Sequence, residues 1–244
     1  MSGEARSSRL RAASATRQGP GEPNQDRAWV DAETGRFAVA DGLGAYAGGE
    51  VAATLAVETS ARTLAAPPAR AHTPRERLNA AMQEAARALH ARGRRERVHG
   101  RMACTLTLLE LDRDAWRAAH VGDSRCYLLR QGELRQLTRD HSLAFEQFLA
   151  GAIGKDAIAG HPNQKLLTRT LSAMRPFVVP ELVEGDLRPG DRFLLCTDGL
   201  TAGLSDPELL RWLGQGDDPA GVCQALIERA GDKDDATALV VVVE

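Results

Sequence analysis

Apolar positions fall along this chain in two rhythms. Short apolar runs bounded by Gly, Asp or Pro predict strands at RAWV (27–30), RFAVA (36–40), CTLTLLEL (104–111), AWRAAHV (115–121), SRCYLLR (124–130) and ELRQLT (133–138). The two- and three-residue links between the last four suit an antiparallel meander. ELVEGDL (181–187), DRFLLC (191–196) and TALVVVV (237–243) return to the strand pattern. Between these lie helical stretches. GEVAATLAVETSARTLAA (49–66) is alanine-rich and free of proline. Thr73 and Glu76 form a capping box around Pro74, and Leu78, Met82, Ala85 and Leu89 then recur at helical spacing. Two more helices are expected near Ser205–Glu208 and from Pro219 to Ala230, and residues 141–175, with glycines at 151, 154 and 160, as short helices and a mobile loop.

Residues 1–18 are expected to be a flexible lead-in, and 19–244 a single domain. Strands, a helix pair, strands, helices and a last strand predict an α+β architecture of stacked sheets flanked by helices. The 244 residues carry 31 Lys and Arg against 33 Asp and Glu, a net charge of −2. That balance leaves no electrostatic footprint for nucleic acid. The basic run ARGRRER (91–97) reads as a solvated helix end. No apolar run reaches the roughly 18 residues of a membrane span, so no membrane insertion is expected. The N-terminus lacks the apolar stretch of a secretory signal. Cys104, Cys126, Cys196 and Cys223 are scattered among apolar residues without a CxxC, as suits buried thiols in a cytoplasmic protein.

The candidate chemistry lies in where the aspartates fall. RFAVA runs into Asp41-Gly42, AAHV into Gly122-Asp123 and RFLLCT into Asp198-Gly199; Asp232, Asp234 and Asp235 precede the last strand, and Asp26 the first. Taken singly, each reads as a turn. If the strands are neighbours, the carboxylates converge on one rim. Two unit charges about 4 Å apart repel by about 4 kcal/mol at an effective dielectric near 20. Such a rim either keeps its protons or holds cations, and an all-oxygen donor set favours Mg²⁺ or Mn²⁺ over Zn²⁺. A glycine after Asp41 lets the main chain approach closely enough for its carbonyl to join them.

Seven segments resemble, in order and spacing, the metal-dependent protein phosphatases of type 2C in their compact bacterial form. They are PNQDR (23–27), FAVADGLGAYAGGEVA (37–52), MACTLTLL (102–109), AHVGDSRCYLLRQGELRQLTRDHSL (119–143), HPNQKLLTRTLS (161–172), LRPGDRFLLCTDGLTAGLSD (187–206) and GDKDDATALVVVV (231–243). The resemblance implies a four-layer sandwich of two antiparallel sheets flanked by helices, with a binuclear Mn²⁺ or Mg²⁺ centre at one end. It implies that Asp41 bridges both ions, that Gly42 ligates through its carbonyl, and that Asp198 and Asp234 complete the first ion's shell. Asp26 matches a residue that holds the second ion through water, and Asp123 a ligand of a weaker third. Asp41, Asp198 and Asp234 are the catalytic set on this reading. Gly21, Tyr46 and Ala202 stand where the family usually has arginine, histidine and aspartate, and Arg17 is the substitute candidate for the phosphate contact. The expected activity is hydrolysis of phosphoserine and phosphothreonine in proteins by a metal-bridged hydroxide, reversing a cognate Ser/Thr kinase, by a cytoplasmic monomer. The alternatives are a non-catalytic phosphoprotein binder and a hydrolase of small phosphate esters.

Overall fold

A computed structural model describes residues 10–20, 23–43, 48–67, 73–96, 102–216 and 218–244. Its strands are β1 (Leu10–Arg17), β2 (Arg27–Asp31), β3 (Arg36–Ala40), β4 (Gly42–Leu43), β5 (Ala103–Cys104), β6 (Leu106–Asp112), β7 (Ala115–Val121), β8 (Arg125–Arg130), β9 (Glu133–Gln136), β10 (Leu171–Ser172), β11 (Glu181–Asp186), β12 (Arg192–Cys196) and β13 (Ala236–Val243). Its helices are α1 (Gly48–Ala65), α2 (Pro74–Glu96), α3 (Leu143–Leu149), α4 (Asp198–Gly203), α5 (Asp206–Gln215) and α6 (Pro219–Arg229).

Two five-stranded antiparallel sheets, ordered β1-β13-β12-β8-β9 and β11-β7-β6-β3-β2, carry the fold, with a three-stranded sheet β10-β5-β4 beside them. The side chains sort themselves by strand parity. Phe37 and Val39 of β3 meet Phe193 and Leu195 of β12 and Leu239 and Val241 of β13 in the core between the two sheets. There Trp116 and Phe193 pack edge to face, 6.2 Å between centroids. The alternate residues face outward under helices. Ala38 and Ala40 lie with Ala52 and Ala56 of α1 and Leu78 and Met82 of α2. Leu194, Val240 and Val242 lie with Leu209 of α5 and Leu226 of α6. Both faces of β13 are therefore covered, which is why TALVVVV carries no polar alternation. The four-layer sandwich is present, as expected.

The capping box of α2 is in place: Glu76 N–H donates to Thr73 Oγ1 (3.3 Å), and Thr73 N–H donates to Glu76 Oε2 (2.7 Å). All four cysteines are buried and unpaired, and burial pushes their thiols up.

Three expectations need correction. Residues 10–17 are not part of a loose lead-in but an edge strand, β1, registered along the whole of β13 from Leu10↔Val243 to Arg17↔Ala236. Leu10 and Ala12 pack into the inter-sheet core, and Ala13 and Ala15 pack under the helices. Residues 1–9 lie outside the described residues. The run 104–111 is two strands rather than one, broken at Thr105. Asp198-Gly199 opens α4, a helix not expected, instead of a turn.

Candidate metal centre

Every strand that ends in a predicted carboxylate ends on the same rim. Asp41 follows β3, Asp123 joins β7 to β8, Asp198 follows β12 as the first residue of α4, and Asp234 precedes β13. Asp41, Gly42, Asp123, Asp198, Asp234 and Asp235 line one cavity of about 300 Å³. Asp26 does not line that cavity; it is almost fully buried, and its charge acts on Asp41. Its Oδ2 accepts a hydrogen bond from Thr197 Oγ1 at 2.7 Å, while its Oδ1 has no partner.

Local geometry explains the placement. Thr105, the residue that breaks β5 from β6, holds the Asp41 backbone from both sides: its Oγ1 accepts from Asp41 N–H (2.9 Å) and its own N–H donates to Asp41 O (2.8 Å). A Cβ on Gly42 would come within 2.3 Å of the Gly49 carbonyl at the start of α1. Gly42 is thus required by close backbone approach, and Gly42→Ala is expected to force α1 and β4 apart. The cost is on the order of 1–3 kcal/mol, as for overpacking elsewhere. Differential scanning fluorimetry should show a melting temperature several degrees lower, and a variant melting like wild type would refute this packing.

Asp235 is occupied otherwise. Its carboxylate accepts from Gly19 N–H (2.8 Å) and Gln25 N–H (2.7 Å), bracing the segment before β2 against the start of β13. Behind Asp123, two histidines clamp the Gly122 peptide. His120 Nε2 is 3.0 Å from Gly122 O, and Gly122 N–H donates to His141 Nδ1 (3.1 Å). The rings stack 4.9 Å apart. Burial lowers both pKa values, that of His141 to about 3. His141 fixes a turn and His120 is a packed residue of β7.

The carboxylates pull each other away from ionisation. Burial, opposed by the Thr197 and Thr237 hydrogen bonds, raises Asp26 to about 7. Burial and the charge of Asp198 raise Asp123 to about 7. Asp41 is held well above the ordinary carboxylate range by burial and by Asp26, Asp198 and Asp123. As the side chains stand, no group of three or more His, Cys, Asp or Glu among the described residues forms a ready-made ion cage. The site nonetheless fits divalent ions. It is all oxygen, it leaves Asp26 Oδ1 unpartnered in a buried position, and it already draws in one cation: Lys165 Nζ lies 2.8 Å from Asp234 Oδ2 and 3.2 Å from Asp198 Oδ2.

Two lysines, Lys165 and Lys233, line the cavity. Sequence reasoning missed both, since a lysine in a turn carries no pattern. It named Arg17 instead, but that side chain turns toward α6, where its Nη1 donates to Ile227 O (2.8 Å), and it does not line the cavity. Gly21 and Tyr46, two of the three departures from the family pattern, lie outside the described residues. The segment after α3 stands beside the rim: Ala159, Gly160, Gln164 and Lys165 share a second cavity with Asp123 and Asp198.

The chain belongs to the protein phosphatase 2C family, whose model matches residues 14–230. It is 34% identical over 220 residues to the serine/threonine protein phosphatase PstP of Mycobacterium tuberculosis, covering 89% of this chain and 41% of that protein. The chain thus spans less than half the length of that curated relative. Its fold superposes on the crystal structure of the Mycobacterium tuberculosis phosphatase PstP/Ppp with a TM-score of 0.88 at 34% identity, covering 96% of this chain and 99% of that one. The catalytic domain of PstP in complex with two manganese ions gives 0.85 at 33% identity, covering 96% and 98%.

Proposed function

We propose that this protein is a metal-dependent phosphatase that hydrolyses phosphoserine and phosphothreonine in other proteins, using two Mn²⁺ or Mg²⁺ ions with a weaker third. The observation that carries the reading is the convergence of Asp41, Asp123, Asp198 and Asp234 on one cavity, with the charge of buried Asp26 acting on Asp41. The manganese-bound relative supports it. In this reading Asp41, the Gly42 carbonyl, Asp198 and Asp234 would hold the two principal ions, with Asp26 supporting the second and Asp123 a weaker third. When bound, the ions supply Lewis acidity, lowering the pKa of water and neutralising charge on the phosphoryl oxygens.

The chain's own side chains do the rest. Thr105 holds the Asp41 backbone in position, and the histidine clamp holds the turn before Asp123. Thr197 orients Asp26. Lys165 and Lys233 give the cavity positive charge against which a phosphate monoester can lie. The phosphoproteins served are those of a cognate Ser/Thr kinase, and the protein acts as a cytoplasmic monomer. No helix among the described residues is long and apolar enough to cross a membrane.

The test is hydrolysis of p-nitrophenyl phosphate and of a phosphothreonine peptide with Mn²⁺, against an EDTA control. Turnover of both, abolished by EDTA, is expected. Turnover of the small ester alone would reassign the substrate class, and turnover of neither would leave a phosphoprotein-binding module.

A further inference from the structure

The Lys165 ammonium bridges Asp198 Oδ2 (3.2 Å) and Asp234 Oδ2 (2.8 Å), joining the loop after α3 to the start of α4 and to the turn that leads into β13. The backbone presents it from a fixed base. Leu143 N–H donates to Leu166 O (2.8 Å), Thr168 N–H donates to His141 O (2.8 Å), and Ser142 bridges Leu167. The turn before it is closed by Gln164 N–H to His161 O (2.9 Å) and by Gly160 N–H to Gln164 Oε1 (2.8 Å). The side chain itself is 68% exposed, so water can receive the ammonium once it leaves.

We propose that Lys165 is a tethered counterion that competes with the divalent ion for Asp198 and Asp234, and so sets the metal affinity of the site and couples ion binding to the 159–166 loop. The inference rests on the reading of these carboxylates as ion ligands. A lysine ammonium and a divalent cation cannot share the same two carboxylate oxygens without strong repulsion. Ion binding therefore drives Lys165 off, and by linkage whatever holds Lys165 in place weakens the ion. The lysine is largely exposed and Asp234 about half so, which keeps the competition modest: removing the ammonium is expected to tighten Mn²⁺ binding about three- to tenfold.

Isothermal titration of the full chain with MnCl₂ tests this, comparing wild type with Lys165→Gln and Lys165→Arg. The glutamine variant should bind Mn²⁺ more tightly and the arginine variant should stay near wild type. Hydrogen exchange gives a readout independent of any variant's folding. In wild type, MnCl₂ should speed exchange at 159–166, because the loop loses its anchor, and in Lys165→Gln the same segment should exchange fast with or without Mn²⁺. If wild type binds Mn²⁺ but Lys165→Gln binds it equally or more weakly, or if the loop's exchange is unmoved by Mn²⁺, the counterion role is wrong while the metal centre stands. If wild type binds no Mn²⁺ at all, both the role and the metal centre fall.

Discussion

Asp41→Asn is expected to abolish phosphatase activity while leaving the metal-free fold at least as stable as wild type. Loss of one group that serves developing charge typically costs about 10²–10³ in kcat. Asp41 is assigned to both principal ions, so its loss should lie at the top of that range or beyond. The stability arm follows from the same geometry. Burial and the charges of Asp26, Asp198 and Asp123 all oppose ionisation of Asp41, so an isosteric amide replaces a carboxyl that the fold already holds toward its neutral form. The backbone contacts that seat the residue come from Thr105 and do not involve the carboxylate. Activity assays with Mn²⁺, paired with thermal melts in EDTA, separate the two effects. Activity within tenfold of wild type would falsify the assignment of Asp41. A melting temperature in EDTA that drops by many degrees would instead mean that the carboxylate supports the fold.

How far the molecule can be read from its sequence depends on how local each signal is. Strands β3, β12 and β13 announce themselves because they are apolar on both faces, a consequence of lying between a helix layer and a second sheet. β1 does not. Leu-Arg-Ala-Ala-Ser-Ala-Thr-Arg is short of β-branched residues, and its partner β13 lies at the other end of the chain. The two-residue strands β4, β5 and β10 are too short for any period to appear. α4 is hidden because Asp-Gly after a strand reads as a turn, although here it begins a helix against the Asp235 carbonyl. The carboxylate rim was legible because four of its members sit at strand ends, where sheet topology alone brings them together. The cations were not. Lys165 reaches the rim from a turn held by the backbone pairings of residues 142–143 and 166–168, and Arg17 is carried away from it by the pairing of β1. Neither fact has a local sequence signature.

Mn²⁺ binding is expected to release protons and to weaken steeply as pH falls below about 7. In the metal-free fold Asp26 and Asp123 titrate near 7, and Asp41 lies well above the ordinary carboxylate range. An ion needs these groups ionised, so near neutral pH its binding must displace protons, with affinity falling up to about tenfold per pH unit for each proton displaced. The same shifts act on stability with a definite sign. Raised carboxylates bind protons in the folded chain that the unfolded chain has already lost. Their contribution is therefore most favourable at acid pH and declines as pH rises from about 3.8 to 7. His120 and His141 act the other way. Both are held neutral by burial, so the unfolded chain takes up protons below about 6.5 that the fold refuses, and stability is lost as pH falls toward 3. A bare melting curve against pH sums these opposed contributions, whereas the difference between melts with MnCl₂ and with EDTA isolates the carboxylates. That difference should grow from pH 5 to pH 7.5. Calorimetry at pH 6.5 in two buffers of unlike ionisation enthalpy should give heats of Mn²⁺ binding that differ by the protons released, about one or more per protein. A Mn²⁺-induced melting shift that is flat across this range, with binding heats independent of buffer, would mean that the carboxylates are already ionised before the ion arrives, and that the repulsion among Asp26, Asp41, Asp123 and Asp198 is relieved in some other way.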